Sequence, residues 1–151
     1  MQEPTTTFIK KNLDNCKNEK EALKFIKENI EPIDAKSFPR FINDYLAKHS
    51  NLTPAIIIKR SGIKRTYGYA ILNGDKKSSR DKIIALCLAA EMTENELNHA
   101  LIYSGHNSLH PKNVRDALIS YYFKNKKTAN AIDLNNFLSE NDSEQLDIYI
   151  Y

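Results

Sequence analysis

Apolar residues along this chain gather into short groups at the spacing of one helical face, and polar or glycine-bearing breaks separate the groups. The first group is Ala22, Leu23, Phe25, Ile26 and Ile30. Asn18 and Glu21 precede it with the N-x-x-E pattern of a capping box, so a helix is expected from Asn18 to about Glu31-Pro32. Its stripe packs on its own chain or serves a dimer or partner helix. Residues 1 to 12 show no comparable pattern and are expected to form a partly disordered lead-in. Phe41, Ile42, Tyr45 and Leu46 predict a second helix over Phe38 to Lys48.

The breaks are most informative between Asn51 and Gly74. Thr53 is a fitting N-cap with Pro54 at the first helical position, and the helix they open carries Ile56, Ile57 and Ile58 inward. Gly62 ends it. A second helix, from about Lys64, places Arg65, Thr66, Tyr69 and Ala70 outward and stops at Asn73-Gly74. Two short helices joined by a glycine turn are the outline of a helix-turn-helix. Ser79 then caps an apolar helix over Arg80 to Glu91, and Thr93 with Glu96 opens another that ends at Ser104-Gly105.

The remaining third contains an echo. Arg80-Asp81-x-Ile83-Ile84 recurs as Arg115-Asp116-x-Leu118-Ile119, Thr93 recurs as Thr128, and L-N-x-x-L at Leu97 recurs at Leu134 two residues late. This reads as one helix pair used twice, or as chance similarity between two amphipathic pairs. The second pair is expected to begin at Pro111 and to continue through Ala129 to Leu138. The tail after Gln145 alternates and reads as a short strand or a partner-docking peptide. The expected architecture is all-α: an N-terminal helical arm at 1–35, a five-helix domain at 36–108 and a C-terminal helical extension at 109–151.

Charge sharpens the picture. The 151 residues carry a formal +3, but residues 36–90 hold eleven Lys or Arg against three acids, whereas residues 91–151 hold five against nine. A segment at +8 around the two-helix motif is the footprint of a phosphate-binding surface. No apolar run approaches a membrane span and the first residues lack a signal-peptide core, so a cytoplasmic location is expected. Cys16 and Cys87 cannot build a disulfide or zinc framework, and Cys87 within IIALCLAA reads as a buried thiol. His106 and His110 sit in a polar loop without metal spacing, and the Asp of each Arg-Asp pair fits first-turn capping. Neither a catalytic residue, nor a metal, nor a cofactor is expected.

Thr53 through Leu97, with Gly62-Ile63, the I-L-N-G ending at Ile71 to Gly74, the basic loop and the T-x-x-E-L start, resembles the DNA-binding domain of the Cro and phage-repressor type, the XRE family. The elements Y-x-Y-x-I-x-x-G (Tyr67 to Gly74), S-R-D-K (Ser79 to Lys82) and L-H-P-K-N-V-R-D-A-L-I (Leu109 to Ile119) are similar to a subgroup with an added helical segment. The resemblance covers roughly residues 38 to 140. It implies base reading by Arg65, Thr66, Tyr69 and Ala70, and phosphate contacts by Thr53, Lys64, Asn73, Lys76, Lys77 and Arg80. Three residues depart from the family pattern: Lys64 replaces the usual Ser or Thr cap, Gly68 stands at a commonly apolar position, and Leu72 stands where many members have glutamate.

The resulting expectation is a sequence-specific regulator, a repressor, that binds double-stranded DNA as a homodimer. The alternative is a protein-interaction module on the same fold, such as a phage-defence or anti-defence component, whose partner binds the helical extension. Gly68 and Leu72 favour the module, and the basic segment favours DNA. Tyr122, Phe123, Phe137 and Leu138 are the expected dimer surface, and a chain cut after Ser108 is expected to remain a folded monomer.

Overall fold

The structure is a computed structural model and describes residues 6–29, 37–125 and 128–149. Among them every regular element is a helix, and there is no strand. The chain divides into two compact units, Met1–Pro32 and Ile33–Tyr151.

The first unit pairs α1 (Thr6–Asp14) with α2 (Glu19–Asn29). A helix therefore occupies most of the expected disordered lead-in, in a stretch with no glycine or proline to interrupt it. Residues 1–5 and Ile30 lie outside the described residues. Asn18 caps α2 as its spacing predicts: the Glu21 N–H donates to Asn18 Oδ1 at 2.8 Å, while Glu21 Oε2 accepts from the Lys17 N–H at 2.8 Å. The capping box is thus closed one residue early. Leu23 and Ile26 of the apolar stripe are exposed.

The second unit holds seven described helices around one core: α3 (Ser37–Ala47), α4 (Pro54–Ser61), α5 (Arg65–Asn73), α6 (Arg80–Ala89), α7 (Glu94–Tyr103), α8 (Val114–Asn125) and α9 (Ala131–Glu140). The connector at residues 31–36 lies outside the described residues. α6 is the central rod. It packs against α4, α7 and α9, and every residue from Ile83 to Ala90 is fully buried or nearly so. A helix apolar on all sides belongs in the interior.

Caps account for the helix boundaries. Thr93 Oγ1 accepts the Glu96 N–H while Glu96 Oε1 accepts the Thr93 N–H, the two halves of the box that T-x-x-E predicts. α8 begins at Val114 rather than Pro111 because Asn113 Oδ1 accepts the Asp116 N–H at 3.0 Å. α9 begins at Ala131 because Asn130 accepts the Ile132 N–H at 2.8 Å, so Thr128 is not its cap.

The echoed helix pairs make equivalent contacts. Arg80 forms a bidentate pair with Asp116 at 2.9 Å, and Arg115 forms one with Asp81 at 3.0 Å. Each arginine also donates to two carbonyls of the segment that follows its own pair: Arg80 to Asn107 and Ser108, Arg115 to Glu144 and Gln145. Asn98 Oδ1 accepts the Leu109 N–H at 2.9 Å, and Asn135 Oδ1 accepts the Leu146 N–H at 2.6 Å. Asp116 accepts the His110 N–H, and Asp81 the Asp147 N–H, both at 2.9 Å. Beyond first-turn capping, each aspartate is the anchor for the other pair's arginine and strap.

The extension is consequently built into the core. Ile119, Phe123, Leu134 and Leu138 are buried, as are Leu146 and Ile148 of the tail, which runs as an irregular strap rather than a strand. Phe123 and Leu138 are therefore unavailable as a dimer surface, and Tyr122 and Phe137 are half-buried against the same core. Among the described residues, the exposed large apolar side chains of the extension are Val114, 73% exposed, Tyr121, 59% exposed, Ile132 and Tyr149.

Candidate nucleic-acid interface

The site is built on α4, the turn and α5. Thr53 is extended at φ −124° and accepts the Ile56 N–H at 3.2 Å, with Pro54 in the first turn. Ile57 and Ile58 point into the core, while Ile56 is only half-buried. Gly62 takes φ +73°, a left-handed geometry that suits glycine, and its N–H closes on the Lys59 carbonyl. Ser61, fully buried, ties the turn: its hydroxyl donates to Ile58 O at 2.6 Å and accepts the Ile63 N–H at 3.2 Å.

α5 follows after two residues. Its inner side buries Gly68, Ile71 and Leu72. A Cβ on Gly68 would lie 2.8 Å from Ile58 Cγ2, closer than real Cβ contacts come, so glycine here sets how near α5 stands to α4. Leu72 is core, and Asn43 on α3 donates to its carbonyl at 3.4 Å. Gly68 and Leu72 thus both have packing reasons. Lys64 makes no side-chain cap, and the first turn of α5 is correspondingly unsatisfied by side chains.

The outer side carries the expected base readers. Arg65 and Thr66 are exposed, Tyr69 and Ala70 half-exposed, and Asn73 exposed at the far end. The Arg65 guanidinium lies 5.8 Å from the Tyr69 ring centroid, one helical turn away, which presents the cation and the ring as one surface. Lys64, Lys76 and Lys77 flank this face and are exposed; the Lys76 ammonium lies 5.1 Å from the Tyr67 ring. Thr53 is exposed, with its hydroxyl oxygen already serving the cap.

Arg80 differs from the other expected phosphate ligands. Its pair with Asp116 and its bonds to Asn107 and Ser108 involve every guanidinium nitrogen, and its side chain is only one-quarter exposed. Burial alone would raise the Asp116 and Asp81 carboxyls, but hydrogen bonds from Arg80 and Arg115 and from the His110 and Asp147 N–H groups, with the charge of both arginines, outweigh it and hold both below the usual carboxylate range.

Chemistry elsewhere is sparse. His106 Nε2 lies 2.8 Å from the Ser78 carbonyl while His110 Nδ1 accepts the Lys112 N–H at 3.1 Å, so the two rings take separate partners. No group of three or more His, Cys, Asp or Glu that could hold a metal occurs among the described residues. Burial pushes the Cys87 thiol well above its ordinary value, with Glu96 adding to it. The Tyr45 hydroxyl, pushed up to about 12 chiefly by burial, donates to Ala90 O at 2.7 Å and fixes α3 to the end of α6. No helix among the described residues is long and apolar enough to cross a membrane.

Comparison with known proteins adds no constraint: no family model, no curated protein and no solved structure matches the chain. Two features of the site were not visible as spacing. One is Lys82, nearly buried, whose ammonium lies 5.6 Å from the Tyr67 ring and donates to Asp147 O at 3.2 Å. The other is Ile148, which abuts the Gly62 turn from 86 residues further along the chain.

Proposed function

We propose that the protein is a sequence-specific regulator of the repressor type, in which α4 and α5 form a helix-turn-helix and α5 enters the major groove of double-stranded DNA. The observation that carries this reading is the outer face of α5: Arg65, Thr66 and Tyr69 are available on a short helix whose inner face is fixed in the core, with Lys64, Lys76 and Lys77 around it. Such a helix supplies base-edge donors and acceptors at its N-terminal half, where a groove-inserted helix reads sequence, and the flanking lysines meet phosphates. Arg65 suits a guanine edge, Thr66 offers a hydroxyl and a methyl, and Ala70 offers a methyl contact.

Gly68 and Leu72, which on sequence favour the interaction module, each have a packing role, and this is consistent with a DNA-binding α5. One helix reads few base pairs, so two copies on half-sites about 34–36 Å apart complete the proposal. The exposed side of α8, with Val114 and Tyr121, is the surface of the extension that this proposal assigns to the second copy. The same patch supports the second reading, a protein-interaction module that takes an apolar partner there.

The variants Arg65→Ala and Lys76→Ala separate base reading from charge. On a duplex enriched from a random pool by the wild-type protein, Arg65→Ala is expected to lose about 1–3 kcal/mol of discrimination at one base pair, whereas Lys76→Ala weakens enriched and random duplexes alike. Gel-shift titrations of both variants on both duplexes check this. Equal losses for the two variants on both duplexes would remove direct reading by Arg65.

A further inference from the structure

The strap at residues 143–149 reaches back to the turn between the two helices of the proposed reader. A Cβ on Gly62 would lie 2.8 Å from Ile148 Cδ1 and 3.6 Å from Ile132 Cδ1, so strap and α9 both abut one side of the turn, whose glycine is otherwise exposed. Ile148 is fully buried there. One residue earlier the strap touches α6 twice: the Asp147 N–H donates to Asp81 Oδ2 at 2.9 Å, and the Asp147 carbonyl accepts from the Lys82 ammonium at 3.2 Å. The same ammonium lies 5.6 Å from the ring of Tyr67 on α5. A continuous path therefore runs from the strap backbone through Lys82 to α5, and a second runs from Ile148 to the turn.

The strap is itself firmly seated. Asn135 brackets Leu146, accepting its N–H at 2.6 Å and donating to its carbonyl at 3.3 Å, and Arg115 holds the Glu144 and Gln145 carbonyls at 2.9 and 3.1 Å. The equivalent segment of the first helix pair, at residues 107–110, is held by the same kinds of contact but leads into α8 instead of reaching the turn. Only the second copy of the motif ends on the reader. Every contact described leaves the outer face of α5 open.

We infer that Ile148 and Lys82 are positioning residues for DNA reading: the strap fixes the pose of α5 against α4 and α6, and selectivity among sequences depends on a segment that itself supplies none of the base-reading residues. The inference rests on the helix-turn-helix reading above. A displaced helix keeps its lysines near phosphates but loses the alignment of Arg65 and Thr66 with base edges, so misplacement lowers selectivity before it lowers total affinity.

The test uses the full chain with Ile148→Ala, Ile148→Val and Lys82→Met, the last keeping the buried stem and removing only the ammonium. Amide hydrogen exchange is read across residues 62–72 and across α7, and binding is measured on the enriched and the random duplex. Ile148→Ala is expected to speed exchange at residues 62–72 by about tenfold or more, because loss of a buried side chain of that size exceeds the free energy of a tenfold change. Exchange in α7 stays within about twofold, binding to the enriched duplex falls by about tenfold with random binding nearly unchanged, and Ile148→Val restores most of both. Lys82→Met gives the smaller change in the same direction, and it stands as the test if Ile148→Ala fails to fold. Unchanged exchange at 62–72 in both Ile148→Ala and Lys82→Met, or equal acceleration in α7, overturns the positioning role. Faster exchange at 62–72 in a protein whose wild type shows no duplex preference overturns the selectivity claim through the function, and is recognisable because the exchange arm needs no DNA.

Discussion

Replacing Arg80 with alanine is expected to destabilise the fold by about 3 kcal/mol or more at neutral pH, far beyond the effect of a surface basic residue. The reason is what the change leaves behind. Asp116 has only 8% of its side chain exposed, and without Arg80 its charge stays in the core with the His110 N–H as its remaining strong partner. Urea unfolding of wild type and variant at several pH values checks the sign. In the wild type both Asp81 and Asp116 have depressed carboxyl pKa values, so their contribution is complete above the unfolded-state value near 4 and is lost as pH falls through the lower folded values. In the variant the unpaired, buried Asp116 is pushed the other way, so protonation relieves it and the gap between the two proteins narrows toward about pH 3. A constant gap of under about 1 kcal/mol across this range would show that the reciprocal pairs behave as solvated surface bridges.

Deleting residues 109–151 is expected to abolish cooperative folding of the remainder instead of leaving a monomer. The deleted segment's own burial is partly offset by the entropy of ordering it, so the decisive term is what the deletion uncovers. Ile148 and Ile132 leave the Gly62 turn, Leu146 leaves the core, and Arg80, Asp81 and Lys82 lose Asp116, Arg115 and the Asp147 carbonyl together. Each uncovered large apolar side chain forfeits about 1.5–3 kcal/mol, and two or three of them with the orphaned charges match a typical total stability of about 5–15 kcal/mol. Circular dichroism of the truncated chain should show a broad, non-cooperative melt. A sharp transition near that of the full protein would mean that residues 36–108 fold alone.

Local chemistry was legible from the sequence, and distance in the chain was the obstacle. Thr53-Pro54, Ser79 and Thr93 with Glu96 mark helix starts because capping needs only a hydroxyl three residues before an N–H, and the structure uses each of them in that way. Phe41, Ile42, Tyr45 and Leu46 on α3 pack inward as their spacing required. The echo at Arg80-Asp81 and Arg115-Asp116 was visible too, but its meaning was not: each pair reads as a capped first turn until the fold sets two helix N-termini side by side. Gly68 was legible only as an oddity of propensity, because its cause is an Ile58 methyl ten residues away. The tail could not be placed, since two alternating apolar residues, Leu146 and Ile148, fit a strand, a docking peptide and a strap equally well. Phe123 and Leu138 were read as interface because their faces had no visible partner in the sequence, and the fold supplies one from the same chain.

Of the candidate site, the outer face of α5 is arranged by helical geometry alone and was therefore readable, whereas the use of Arg80 inside the fold was not. Arg80 lies in the same basic segment as Lys76 and Lys77, and charge counting treats the three alike. The structure separates them, leaving the two lysines exposed and holding the arginine against Asp116.

The claim that this surface binds DNA is tested most directly by the salt dependence of binding to a random-sequence duplex. With Lys64, Lys76 and Lys77 of two copies as the phosphate-facing charges, the slope of log affinity against log salt is expected to be about −5, and about −3 for a single copy. A slope near zero between about 50 and 200 mM salt, or no binding at all at the low end, would contradict the DNA-binding reading and leave the exposed face of α8 as the working surface of the molecule.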